Sequence, residues 1–176
     1  MDDLNRCFEL LLARRSIRRY TPEPVPDEVG TRLLEAAMAA PSSDNERPWH
    51  FVVVSRRALL DELAERHPYA RMLRGAPLCI VPCGDLDLVP PGVSGEYWVQ
   101  DVAAATQNIL LAGVALGLGT VWCGVHPEKE RVDMVREVLG LPPRIVPFCL
   151  IPTGFPAVSK PARTQFDPDR VHREGW

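Results

Sequence analysis

Between Val102 and Val125 the chain carries no formal charge. The run VAAATQNILLAGVALGLGTVWCGV approaches the length needed to cross a membrane. Yet it holds Gln107, Asn108, two threonines and several glycines, and Gly117-Leu118-Gly119 breaks it before its end. A helix apolar nearly all round and followed by a short strand belongs at the centre of a globular core. The pattern predicts a long buried helix over about Glu96 to Leu116 and a brief strand over Thr120 to Trp122. Other elements must then pack around it, which excludes a single-layer fold.

The rest of the chain fits such a core. Its 176 residues suffice for one domain over 1–176, and 46% apolar with 24% charged residues is ordinary globular usage. The start, MDDLNRCFELL, has no basic region leading into an apolar one, so no secretory signal is expected. Cys7, Cys79, Cys83, Cys123 and Cys149 are scattered with no C-x-x-C, which suits reduced thiols in a cytoplasm. His50, His67, His126 and His172 are equally dispersed, so no metal site and no membrane partner is expected.

Periodicity predicts an α+β order. Leu4, Phe8, Leu11 and Leu12 recur at helical spacing, giving a first helix over about Asn5 to Ala13. Pro22, Pro24 and Pro26 hold an extended connection, and Pro26-Asp27-Glu28 reads as a helix start. Val29, Leu33, Ala36, Ala37 and Ala40 give that second helix its inner face, ended by Pro41. His50 to Val54 reads as a strand, and Ser55 as the cap of a helix through about Arg66. Leu78 to Cys83 is the next strand, where Pro82 predicts an edge or an irregularity. Pro127 to Leu139 is an amphipathic helix closed by Gly140, and Ile145 to Pro152 is the last core strand. The tail, about 157–176, reads as an extended arm carrying Phe166, Val171 and Trp176. Such an arm packs on its own subunit or on a second one.

Two local patterns point to a ligand. Arg14, Arg15, Arg18 and Arg19 surround Ser16; guanidinium forks and a hydroxyl together suit a phosphate. Taken alone, the arginines also fit a solvated turn or a nucleic-acid patch. The net charge of −3 and the lack of a second basic stripe argue against nucleic acid. Downstream, Pro41-Ser42-Ser43-Asp44-Asn45 offers small residues and short polar groups against which a flat polar ring can lie, although Pro and Ser also simply stop helices.

Taken together, RRSIRRY, LLEAAMAAPSSDNERPWHFVVVS, the long helix with its GLGTVWCGV exit and the tail KPARTQFDPDRVHREGW resemble the nitroreductase family of FMN flavoproteins. That resemblance implies a nitroreductase-like α+β fold, with a central mixed or antiparallel sheet flanked by helices. It also implies a homodimer with extended, exchanged termini and FMN at the interface. Arg14, Ser16 and Arg163 resemble the ligands of the FMN phosphate, with Arg15 flanking them. Arg18 resembles the cation that reaches the ribityl chain or pyrimidine edge. Pro41, Ser42, Ser43 and Asn45 match positions lining the isoalloxazine, commonly contributed by the partner subunit. Cys123 and Gly124 fall where backbone N–H groups meet flavin N5 and O4, so the Cys123 thiol is given no catalytic role and no side chain is named as catalytic.

The implied activity is ping-pong hydride transfer from NADH or NADPH, a transient co-substrate, through flavin N5 to a small planar electron-poor acceptor such as a nitroaromatic or quinone. An FMN carrier or sensor without turnover, or reductive dehalogenation or flavin fragmentation, would use the same residues. Two departures stand out. Arg47 occupies the place where the family usually has Gln in Asn-x-Gln-Pro-Trp, and the segment between Cys83 and Glu96 is short. Asp101 and Gln107 on the long helix are assigned either to the site or to the helix surface.

Overall fold

The computed structural model describes residues 2–176. Helix α1 spans Asp2–Ala13, α2 Asp27–Met38, α3 Arg57–Arg66, α4 Trp98–Ala115 and α5 Lys129–Leu139. The strands are β1 Trp49–Val54, β2 Leu78–Asp85, β3 Gly119–Thr120, β4 Cys123–Gly124, β5 Ile145–Pro147 and β6 Cys149–Gly154. They form an antiparallel sheet in the order β1-β2-β6-β3, with β4 also on β6 and β5 on β2. A parallel bridge between Ser16 and Thr120 makes the whole mixed. Among the described residues no helix is long and apolar enough to cross a membrane.

Strand β2 lies in the middle of the sheet and is buried along its whole length. The expectation of an edge at Pro82 is therefore corrected, and the irregularity falls in the adjacent strand segment. Ile80 faces Ile151 and Cys83 faces Pro147, so Val81 and Pro82 stand opposite Phe148, Cys149 and Leu150. This is a one-residue bulge. Phe148 N–H donates to the Pro82 carbonyl at 2.9 Å, which places the proline nitrogen on that same side. The donor that proline lacks would have met the bulge, so the ladder loses nothing. The bulge also divides the single strand expected over Ile145–Pro152 into β5 and β6.

Helix α4 crosses the sheet with Val102, Ala105, Thr106, Ile109 and Gly113 inward and α2 against its flank. Asn108 donates to the Ala36 carbonyl at 2.9 Å, joining the two helices, while Gln107 is exposed. The strand expected over Thr120–Trp122 is instead two short pairings on β6, interrupted at Val121 and Trp122. Ser55 does not cap α3: Arg56 holds that position with no side-chain bond. Gly140 closes α5 as expected, at φ +64.

Helix α1 forms where its spacing predicts it, but Phe8 is 61% and Leu11 51% exposed, so its apolar residues lie open on this chain. The tail is similar. Phe166, Val171 and Trp176 are exposed, and only a 3₁₀ turn at Pro168–Arg170 interrupts its extended course.

Candidate functional site

The arginine segment is sewn to the sheet on one side and to the tail on the other. Ile17 N–H donates to Thr120 O at 2.9 Å, and Ile17 itself is buried. It sits so close over Gly119 that a Cβ there would lie 2.6 Å from its Cγ2. A side chain at 119 would thus lift the whole segment away from β3. The Tyr20 hydroxyl shares its proton between Ile17 O at 2.7 Å and Pro152 O at 3.0 Å, and burial pushes its pKa upward. Ala157 N–H donates to Arg19 O, and Arg163 N–H to Leu12 O at 3.3 Å.

These bonds place the tail cation Arg163 beside the end of α1 and the Arg14–Arg19 segment. Arg15 reaches the Pro161 carbonyl, and Lys160 Nζ donates to Ser16 O at 2.8 Å. Lys160 is a member of this cluster that sequence reasoning missed; only its place in the KPARTQ run hinted at it. Among the described residues, Arg14, Arg15, Arg18, Lys160 and Arg163 have no carboxylate partner within 4.0 Å. Among the described residues these five cations thus form no structural ion-pair network, and their charge is open to a multiply charged anion.

Arg18 points this field toward β4. Burial pushes the Cys123 thiol up to about 11, and the Arg18 charge draws it partly back. The thiol is therefore protonated at neutral pH, which agrees with giving it no catalytic role. Gly124 follows with nothing within 4 Å of where its Cβ would be. The protein's own packing does not demand a glycine there, and its φ is not in the left-handed region. The space above its backbone is thus free for a flat group to approach, as the expected contact with a flavin edge requires.

The loop from Pro41 to Pro48 is held tightly in an unfavourable shape. Ser42 Oγ accepts Arg47 N–H at 2.9 Å, and Asp101 Oδ1 accepts Ser43 N–H at 3.0 Å. Asp44, Asn45 and Arg47 have φ of 48°, 59° and 52°. Asp and Asn tolerate this region, but for Arg47 it is strained, costing on the order of 1–3 kcal/mol. Trp49, buried immediately afterwards, anchors the loop to the core. Beneath the loop lies a cavity of about 380 Å³ lined by Pro41, Ser42, Ser43, Tyr97, Gln100, Asp101 and Ala104.

Asp101 is only 6% exposed, and its Oδ2 has no hydrogen-bond partner among the described residues. Its role is thereby decided: it anchors the loop from inside α4, whereas Gln107 stays on the surface. A second cavity of about 530 Å³ shares Tyr97 and Gln100 and continues to Trp98 and His126. Trp98 and Phe148 pack edge to face, and the half-exposed Trp122 packs on Phe148 at 5.4 Å. Trp122 therefore packs on the core through Phe148.

The expected site residues thus fall into two groups within one chain. Arg14, Arg15, Ser16, Arg18 and Arg163 gather around β3 and the C-terminal end of α4, where Arg15 shares a cavity with Val114. Pro41, Ser42, Ser43 and Asn45 gather at its N-terminal end, around Asp101. Cys123 and Gly124 lie between them on β4, with Gly124 opposite Cys149, whose thiol meets Thr106 of α4. Asp101 and Val114 are roughly 20 Å apart along the helix at 1.5 Å per residue. Both groups fit FMN chemically, and the helix holds the arginine group and the Pro41 loop apart within the chain.

The nitroreductase family model matches residues 11–67 and 64–155, a span containing both groups except Arg163. The chain belongs to the nitroreductase family. Among its relatives in that family is a Methanothermobacter thermautotrophicus protein provisionally named NADH dehydrogenase/NAD(P)H nitroreductase. It is 47% identical over 96% of this chain and 87% of its own. A solved structure from Parabacteroides distasonis under the same provisional name superposes with a TM-score of 0.92. It is 40% identical, with 97% of this chain and 99% of the other covered. A nitroreductase, provisionally so named, of Desulfovibrio desulfuricans was solved in complex with FMN. It has a TM-score of 0.82 and 32% identity, covering 97% of both chains.

Proposed function

We propose that this nitroreductase-family protein is an FMN-dependent NAD(P)H oxidoreductase whose site is shared between two subunits. The observation that carries the reading is the cluster of five cations with no carboxylate partner among the described residues, whose Arg18 lies beside Cys123 and the open backbone of Gly124. The fold shared with the FMN-bound relative supports it. FMN, when bound, supplies the redox chemistry, accepting hydride from NADH or NADPH and passing it to an electron-poor acceptor such as a nitroaromatic or quinone.

Each residue has a defined task in this reading. Arg14, Arg163 and the Ser16 hydroxyl bind the phosphate through charge-assisted bonds, with Arg15 and Lys160 bracing them. Arg18 sets a positive charge toward the pyrimidine edge, where negative charge gathers on reduction. The Gly124 N–H faces the central ring edge, whereas the Cys123 main chain is turned into the ladder with β6. Pro41, Ser42, Ser43 and Asn45 of a second copy line the ring from the other side, which resolves the separation of the two groups along α4. Arg47, in place of the family's usual Gln, adds a positive charge at that rim and favours acceptors that carry negative charge.

The whole chain, 1–176, is one domain in this account. Its arm from about 157 lays Phe166, Val171 and Trp176 on the second subunit of a homodimer. The unpaired cysteines support a reducing, cytoplasmic setting.

An absorbance spectrum of the purified protein tests the reading. A yellow protein bleached by NADH or NADPH and recoloured by a quinone or nitroaromatic is expected. A yellow protein inert to both nucleotides would make it a carrier. A colourless one that does not take up FMN would overturn the assignment.

A further inference from the structure

His67 lies at the C-terminal end of α3 and is fully buried, yet the proposed chemistry gives it no part. Its two ring nitrogens are both engaged. Nδ1 accepts the Tyr69 N–H at 3.2 Å, so the proton resides on Nε2, which donates to the Gly124 carbonyl at 3.0 Å. Burial lowers its pKa and keeps the ring neutral in that tautomer. Arg131 from α5 adds a second donor to the same carbonyl at 3.4 Å, and its guanidinium lies 5.2 Å over the Tyr69 ring.

The geometry of β4 makes this contact consequential. Val125 N–H donates to Phe148 O at 3.1 Å, so at Gly124 the ladder turns both N–H and C=O away from β6. The carbonyl meets His67 and Arg131, and the N–H faces the free edge of the strand. Glycine has the widest choice of backbone angles, and Gly124 has no Cβ contact to restrain it. Its orientation depends on the bonds made by the peptide groups on either side.

We propose that His67, seconded by Arg131, is a positioning residue that fixes the Gly124 main chain for contact with the flavin edge. The inference rests on the FMN reading above. It adds a buried group, carried on α3, that tunes the cofactor without touching it. Replacement of the Nε2–H donor lets the Gly124 peptides rotate, so the N–H no longer holds one direction toward oxidised and reduced flavin alike.

The test compares the wild-type protein with His67→Leu and His67→Gln, the amide of Gln keeping an N–H at a similar reach. In the FMN-free protein, exchange of the Val125 amide, which holds the Phe148 carbonyl, is expected to quicken at least tenfold in His67→Leu and to stay near wild type in His67→Gln. In the FMN-loaded protein, the ratio of affinities for oxidised and reduced FMN is expected to change about tenfold in His67→Leu, equivalent to 29.6 mV for two electrons. Arg131→Leu, removing the longer donor from the same carbonyl, is expected to move this ratio in the same direction by less. It keeps the test available should His67→Leu fail to fold. Unchanged amide exchange and an unchanged ratio in a folded His67→Leu protein, or an unchanged ratio in Arg131→Leu, would overturn the inference. Failure of the wild type to bind FMN would instead strike the proposed function, leaving the exchange result to judge the clamp alone.

Discussion

The central sheet with α4 and the outer pair of α1 and tail obey different rules. Around β2 and β6 every apolar side chain finds a partner within the chain: Ile80, Val81, Leu150 and Ile151 are fully buried. On α1 and the tail, Phe8, Leu11, Phe166 and Trp176 face outward although their spacing or size suits burial. The first region is closed by its own sequence. The second is left open on this chain, as the proposed dimer requires, and the candidate site is proposed to divide along the same line.

The sharpest way to break the contrast is to truncate each region. Leu150→Ala is expected to destabilise the fold by about 2–5 kcal/mol, because it opens a cavity in a region with no other support. Phe8→Asp is expected to leave the unfolding of a single subunit within about 0.5 kcal/mol. Its effect should appear as a shift from dimer to monomer with loss of flavin. Urea titration and sedimentation of both variants check this; a Phe8→Asp dimer of normal affinity would remove the contrast.

Arg14→Ala comes next in size. Loss of one charge-assisted bond to the phosphate is expected to weaken FMN by about 1.5–3 kcal/mol while leaving riboflavin nearly unchanged. Equal losses for both ligands, measured by fluorescence titration, would remove Arg14 from the phosphate site.

A smaller effect on the fold, with a clear one on the ligand, is expected at Gly124. Since a Cβ there meets nothing within 4 Å, Gly124→Ala should leave thermal stability unchanged. It should nonetheless lower FMN affinity by filling the space into which the ring must come. A destabilised Gly124→Ala that binds FMN normally would reverse the assignment of that opening.

The weakest expected effect is on pH dependence. Burial lowers the pKa of His67 and of His126 from 6.5, so the unfolded chain takes up protons at both before the folded one does. Stability should therefore be complete above about pH 6.5 and fall as the pH drops through the depressed folded values. His67→Gln should flatten that fall in denaturant midpoints taken between about pH 7 and pH 5; an unchanged slope would mean that His67 does not titrate with folding.

Much of the closed region was legible because it depends on local pattern. The periodicity of α2 and α5, the Gly140 stop and the charge-free α4 need no partner to be read. The errors came where distant residues decide. Pro82 argued for an edge, but a bulge at Phe148 accommodates it in the centre. Ser55 looked like a cap, but the helix begins beyond Arg56. The exposure of Phe8 and Leu11 was equally illegible, since helical spacing does not say what covers a face.

The site divides similarly. Arg14, Ser16, Pro41 and Ser42 stood out by residue type and order. Lys160 joined them only through the path of the tail. Asp101 was ambiguous until its bond to Ser43 appeared, and His67 carried no signal, because Gly124 meets it only in the folded chain. The left-handed angle at Arg47 was equally invisible, since nothing about arginine suggests it.

The central claim is that each flavin site draws on two chains, and complementation tests it most directly. Arg14→Ala should bind FMN poorly, as should Pro41→Trp, which places a bulky ring on the exposed side of the loop. When the two variants are co-expressed, about half the dimers should be mixed, each with one undamaged site, so flavin content should recover to about a quarter of wild type. A mixture that holds no more FMN than its two parents would contradict a shared site.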